Sequence, residues 1–179
     1  MKGHLDLTAQ FKFKDGDGPR FALHAETTDK LLVFAENGRF YTLGCDKLPK
    51  GRGFGEPLSL MMDVPADVSL VNIIKVRKGK LLVASDEGHG LIVDIDSALA
   101  QTRSGKQVLN LSLGARAVAC CLAEGDHAAV VGQNRRLLIF PLNEIPEMNR
   151  GKGVILQRYK DGTLADVKTF SLADGLSWK

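Results

Sequence analysis

The chain repeats one pattern three times, and this repetition constrains its fold more than any other feature of the sequence. Each copy is a short apolar run, a polar turn and a second apolar run, and the copies occupy residues 30–43, 80–95 and 127–140. Two short apolar runs joined by a polar turn are typical of a β-hairpin. Leu31 of the first copy recurs as Leu81 in the second, 50 residues later, and the third copy follows after a further 47. The sequence therefore predicts a fold built from repeated hairpins.

Further apolar runs flank each predicted hairpin. One run precedes each hairpin, at residues 21–25, 68–76 and 117–122, and another follows a glycine-containing loop, at residues 58–62, 108–113 and 154–156. A fourth, incomplete hairpin is predicted at residues 168–178. Four strands in one repeat of about 47–50 residues is the size of a propeller blade. We predict an all-β, propeller-like disc of four-stranded repeats, truncated in its last copy.

The repeats also predict the domain organisation. We expect one repeat-built domain over residues 1–179, because every apolar run belongs to the same pattern. The first unit begins late and the last stops early, so we expect a fragment of a longer subunit. The predicted units are a partial unit at 1–20, three units at 21–62, 68–113 and 117–159, and a partial unit at 164–179.

Residue types that support catalysis or metal binding form no recognisable pattern in the chain. The three cysteines, Cys45, Cys120 and Cys121, include no C-x-x-C pair, which favours buried free thiols over disulfides or a zinc site. No P-loop or G-x-S-x-G motif occurs. We predict no catalytic residue, metal or cofactor in this chain. No apolar run approaches the roughly 18 residues of a membrane span, and we expect a cytoplasmic location.

The loop after each hairpin places cations beside glycine. The net charge is only +3, so the positions of the cations matter more than their number. Glycine lets a backbone approach a phosphate group, and Arg and Lys attract it. Equivalent loops of a disc lie along one rim, which predicts a curved track for the backbone of duplex DNA. The predicted DNA-binding residues are Lys50, Arg52, Arg103, Lys106, Arg150 and Lys152, with Gly53, Gly105 and Gly151 taken as equivalent.

A second interpretation of the same loops remains open. Glycine beside Arg or Lys is also common in solvated turns between strands. The chain would then be a non-enzymatic, propeller-like scaffold that binds a protein partner.

Two longer stretches of sequence resemble a known family. Residues 31–57 contain LLVFA, NGRFYTL and KLPKGRGFGEP, and residues 145–162 read IPEMNRGKGVILQRYKDG. These strings resemble the C-terminal domain of the A-subunit of bacterial topoisomerase IV, in its alphaproteobacterial form, within the gyrase A superfamily. The resemblance implies a β-pinwheel, in which neighbouring blades exchange strands. It also implies a basic perimeter that bends or positions duplex DNA for a type IIA topoisomerase acting in decatenation and supercoil relaxation.

The resemblance also carries expectations about partners and cofactors. It implies contact with the catalytic core, which is the remainder of the A-subunit together with the B-subunit, and a location at the nucleoid. The resembled enzyme is an ATP-dependent type II topoisomerase whose Mg and ATP bind in other domains. The gyrase A-subunit carries a fuller box, Gln-Arg-Arg-Gly-Gly-Lys-Gly, of which residues 150–153 keep Arg-Gly-Lys-Gly. This departure favours decatenation over negative supercoiling.

The family's nucleophile is a tyrosine preceded by arginine in an upstream domain. Arg158-Tyr159 reproduces that dipeptide but precedes a turn inside a repeat. Tyr41 aligns with Leu138 of the third copy. We therefore predict that neither tyrosine is a nucleophile and that the chain alone has no activity.

Overall fold

The computed structural model describes residues 13–49 and 54–178. These residues form short β-strands with very little helix, which confirms the all-β prediction. The one α-helix among them is the single turn α1 (Ile95–Ala98), directly after the second hairpin. The strands are β1 (Lys30–Ala35), β2 (Arg39–Gly44), β3 (Leu70–Lys75), β4 (Lys80–Ser85), β5 (His89–Asp94), β6 (Lys106–Gln107), β7 (Ala117–Leu122), β8 (His127–Gly132), β9 (Leu137–Pro141), β10 (Val154–Ile155) and β11 (Leu164–Phe170).

The strands of the described residues form three sheets, which we call blades. Blade 1 has the order β3-β1-β2-β6, blade 2 has β10-β5-β4-β7, and blade 3 has β11-β8-β9. At the centre of each blade is one of the three predicted hairpins, β1-β2, β4-β5 or β8-β9. All the pairings between these strands are antiparallel.

Consecutive repeats exchange strands. β3, β7 and β11 each pair with the first strand of the hairpin that precedes them in the chain. The loop strands reach one hairpin further back. β6 follows the hairpin β4-β5 but pairs with β2, and β10 follows the hairpin β8-β9 but pairs with β5. Each repeat therefore contributes to two sheets, as the resemblance to a pinwheel implies.

The central strand of each blade is buried on both faces. Leu32 and Phe34 of β1 pack with Leu81 and Val83 of β4, between blades 1 and 2. The intervening residues of β1 pack in a separate cluster on the other face of blade 1. Because successive side chains of a strand point to opposite faces, burial on both faces explains why these runs are continuously apolar rather than alternating.

Several predicted strands take other forms in the structure. Residues 108–113 form no strand, because Leu109 makes only an isolated bridge and the strand of this loop, β6, ends just before them. Residues 58–62 contain a 3-10 turn, Leu58–Leu60, and residues 21–25 form no regular strand. The predicted hairpin at 168–178 is also wrong. Lys168 and Phe170 belong to β11, which pairs with β8 as β3 pairs with β1, so this stretch occupies the strand position before a hairpin. Residues 171–178 contain a turn and no strand.

Candidate nucleic-acid interface

The basic loop after the second hairpin (residues 102–107, the second loop) and that after the third (residues 149–154, the third loop) lie at the outer edges of two successive blades. The second loop enters β6, where Lys106 pairs with Phe40 at the edge of blade 1. The third enters β10, where Val154 pairs with Gly90 at the edge of blade 2. Strand exchange therefore positions Arg103, Lys106, Arg150 and Lys152 at the blade edges. The remaining predicted residues, Lys50 and Arg52, lie outside the described residues.

The third loop is hydrogen-bonded directly to the segment that follows the second. The backbone N–H of Asn110 donates to the Gly151 carbonyl at 2.8 Å, and the Gly151 N–H donates to the Val108 carbonyl at 2.9 Å. The side chain of Arg150 donates to Asn110 Oδ1 at 3.2 Å, and Lys152 Nζ lies 2.7 Å from Ser112 Oγ. These cations therefore lie against the preceding repeat.

Arg103 makes the corresponding contact one repeat earlier. The N–H of Asp63 donates to the Arg103 carbonyl at 2.9 Å, as Asn110 does to Gly151. The Arg103 guanidinium lies 3.4 Å from the Asp63 carboxylate and donates to the Leu60 carbonyl at 3.1 Å. In both repeats, a loop cation is held by the segment that ends the preceding repeat.

The sequence alignment of the second and third loops is wrong by two residues. Gly105 (φ 74°) and Gly153 (φ 78°) are the equivalent glycines, because each precedes a loop strand and lies against the neighbouring blade edge. Arg103 is therefore equivalent to Gly151. The third loop has two glycines in three residues, Gly151 and Gly153, and the sequence comparison took Gly151 as the equivalent one.

All four predicted cations in the described loops are exposed and bound by their own chain. Lys106 Nζ donates to the Ser97 carbonyl at 2.6 Å. Lys152 Nζ also lies 3.5 Å from a carboxylate oxygen of Glu87. A hydrogen bond from Ser112 and the positive charge of Lys152 lower the pKa of Glu87. Exposed ion pairs of this kind are weak, so a phosphate group can compete for these cations.

Four further cations lie at the edge of blade 3 and were missed from the sequence. Arg135 and Arg136 form the turn between β8 and β9, and Arg158 and Lys160 lie in the segment that packs against it. Their side chains are exposed and make no hydrogen bond or ion pair with the residues that the structure describes. The available signal was the third turn, Asn-Arg-Arg, where the first two turns have glycine at the central position.

The tyrosines and cysteines occupy structural positions. Tyr41 is buried, and its hydroxyl accepts a hydrogen bond from Asn37 at 3.0 Å. Tyr159 donates to Gln157 at 2.7 Å, and burial raises the pKa of its phenol. Burial also raises the pKa of Cys121 to about 12. No group of metal-binding side chains is found at residues 13–49 and 54–178.

We predict slow reaction of the native thiols with a disulfide reagent at pH 8. With a pKa of about 12, Cys121 has only ~1 thiolate in 10,000 molecules at that pH, and the thiolate is the reacting species. Cys45 and Cys120 are buried, and desolvation raises the pKa of both. Release of thionitrobenzoate should be slow from the native chain and fast in guanidinium chloride. Rapid labelling of Cys121 in the native chain would contradict this burial.

The antiparallel blades that exchange strands with their neighbours define a propeller-like protein of the pinwheel class. The chain belongs to the DNA gyrase C-terminal domain, beta-propeller family, whose model matches residues 29–77 and 126–171. The resemblance identified in the sequence is thereby confirmed.

Individual relatives agree with this assignment. The chain is 48% identical to the A-subunit of DNA topoisomerase 4 from Caulobacter vibrioides and 42% identical to that from Rickettsia bellii, in each case over 99% of its length. It spans about a quarter of these relatives, 23% and 24%. Among solved structures, the E. coli ParC C-terminal domain matches with a TM-score of 0.79 and 26% identity, over 87% of this chain and 68% of that one. No helix in the described residues is long and apolar enough to span a membrane.

Proposed function

We propose that the chain binds duplex DNA through its backbone and bends or positions it for a type IIA topoisomerase acting in decatenation and supercoil relaxation. The observation that carries the proposal is the junction between loops of successive repeats. The Leu109–Gly151 bridge brings Arg150 and Lys152 against the preceding repeat, and Arg103 makes the same kind of contact one repeat earlier. Cations repeated along adjacent blade edges suit a regularly spaced row of phosphates.

The partners follow from the relatives. A chain similar to one quarter of the topoisomerase IV A-subunit would act beside the remainder of that polypeptide and beside the B-subunit, at the nucleoid in the cytoplasm. Magnesium and ATP would bind in those other parts of the enzyme, and no DNA contact proposed here requires them.

A protein-binding scaffold is the second candidate, and β9 is the observation in its favour. Leu137, Leu138 and Ile139 are exposed, and no strand in the described residues pairs with the outer edge of β9. Exposed apolar edge strands are sites at which another chain can add a strand.

We predict sequence-independent DNA binding that weakens steeply with salt, without magnesium or nucleotide. If about four to six phosphates are neutralised, log K should fall against log salt with a slope of roughly −4 to −5. Fluorescence anisotropy with two unrelated duplexes at several salt concentrations measures both properties. Affinity that is independent of salt, or confined to one duplex, would favour the scaffold.

A further inference from the structure

The hairpin turn of blade 3 differs from the other two at one backbone position. In the first two turns this position is occupied by Gly38 (φ 77°) and Gly88 (φ 84°). The register of the hairpins places Arg135 at the same point of the third turn, with φ 62°. It is the one residue other than glycine with a positive φ among those described. A left-handed backbone is unfavourable for a residue with a Cβ, so arginine here is a departure from the repeat.

In blades 1 and 2, the next repeat covers this turn. A Cβ added at Gly38 would lie 2.1 Å from the carbonyl oxygen of Leu109, and one added at Gly88 would lie 2.4 Å from that of Gln157. Both contacts are with backbone, which cannot move aside as a flexible side chain can. The Cβ of Arg135 therefore excludes a segment that crosses blade 3 in the same way.

Among the described residues, no segment crosses the outer edge of blade 3. In blade 2, the N–H of Ile92 donates to the Pro146 carbonyl and its own carbonyl accepts from Met148. Ile139 holds the equivalent place in blade 3, where no backbone hydrogen bond reaches this edge from the described residues. Within the described part of the chain, Arg135 and the start of β9 are exposed.

The cations around this open turn lie on two backbone segments that are in contact with each other. The N–H of Gln133 donates to the Thr163 carbonyl at 2.8 Å, and a Cβ added at Gly132 would lie 2.4 Å from a ring carbon of Tyr159. The segment containing Arg158 and Lys160 thus lies against the turn that carries Arg135 and Arg136. Arg103 and Lys152 are in ion pairs with carboxylates, whereas these four cations have none within the described part of the chain.

We propose that this open turn of blade 3 is a second contact site for DNA phosphates, distinct from the loops of the proposed interface. The site consists of Arg135, Arg136, Arg158 and Lys160. Three guanidiniums can each form a bidentate pair with phosphate oxygens, and none has to release an intramolecular carboxylate first. The proposal rests on the proposed function, because it adds a site for the same DNA backbone. It extends the track of cations from blades 1 and 2 to blade 3.

Two variants with equal charge change test the site in the chain as it exists. The blade 3 variant is Arg135→Gly, Arg136→Gln, Arg158→Gln and Lys160→Gln. The loop variant is Arg103→Gln, Lys106→Gln, Arg150→Gln and Lys152→Gln, so each removes four positive charges. We expect the blade 3 variant to lose roughly 10- to 100-fold in affinity for a random duplex, with the salt slope reduced by about 0.9 for each lost contact.

The outcomes separate the two proposals. Affinity equal to that of the unmodified chain in the blade 3 variant, with a loss in the loop variant, would overturn the second site and leave the proposed function intact. Unchanged DNA affinity in the blade 3 variant is also the result expected if the edge of blade 3 binds a protein instead of DNA. Failure of the unmodified chain to bind DNA would refute both proposals.

The single variant Arg135→Gly guards against a folding defect. Glycine is the residue that the other two turns use at this φ, so the melting temperature should not fall. We expect weaker DNA binding at an unchanged melting temperature. A lower melting temperature with unchanged affinity would show that Arg135 is structural and overturn its assignment to the site.

Discussion

Replacing Gly153 with alanine should lower the free energy of unfolding by about 2–5 kcal/mol, from backbone strain and overpacking together. Gly153 has φ 78°, and an added Cβ would lie 1.9 Å from the carbonyl oxygen of Gly90. Neither backbone can withdraw easily, because Val154 pairs with Gly90 in the edge ladder of blade 2. The decrease in the free energy of unfolding can be measured by urea denaturation, with circular dichroism as the probe.

Gly114→Ala is the matched control for Gly153→Ala. Gly114 has φ 81°, but nothing lies within 4 Å of an added Cβ. Its substitution should therefore show the backbone strain alone, about 1–2 kcal/mol. The difference between the free energies of unfolding of the two variants measures the cost of overpacking where β10 lies against β5. Equal losses in both would mean that β10 does not pack on β5 as closely as the structure shows.

The hairpin strands could be predicted from sequence because their signals are local. Residues 117–122 coincide with β7, and residues 30–43 cover β1 and all but the last residue of β2. A continuous apolar run of five or six residues bounded by turn residues is sufficient to identify such a strand. Apolar character alone was misleading at residues 58–62. There Leu60 is exposed, and Leu58–Leu60 forms a 3-10 turn rather than a strand.

The exchanged loop strands could not be predicted, because their conformation depends on a distant partner. β6 consists of Lys106 and Gln107, which carry no apolar signal, and its pairing with β2 spans more than 60 residues of sequence. This pairing also sets the register of the loops, so the equivalence of Gly105 and Gly153 became visible only in three dimensions. The cations at blade 3 were missed for a similar reason. The residues next to Arg135 in the sequence do not show that it occupies the position at which the other two turns have glycine.

Replacing Phe34 with alanine should cost about 3–5 kcal/mol of stability, the usual range for a buried aromatic residue. Phe34 is fully buried, and its ring stacks on Phe40 with centroids 4.5 Å apart. The same cluster contains Leu81 and Val83 of blade 2, so the cavity would open between two blades. Phe54→Ala is the control, because Phe54 is 57% exposed and contacts Lys14 through its ring face. The control should lose no more than about 1 kcal/mol, the value of an exposed cation–π contact.

The same variant tests whether the blades unfold together. β4 contributes Leu81 and Val83 to the cluster against blade 1, and Leu82 and Ala84 to the cluster against blade 3. Trp178 is the single tryptophan, and its indole N–H donates to Asp166 of β11 at 3.3 Å, so its fluorescence reports on blade 3. In a stack that unfolds as one unit, Phe34→Ala in blade 1 should shift the urea midpoint equally by fluorescence and by circular dichroism. A fluorescence midpoint that stays in place while the dichroism midpoint falls would show that blade 3 folds independently of blade 1.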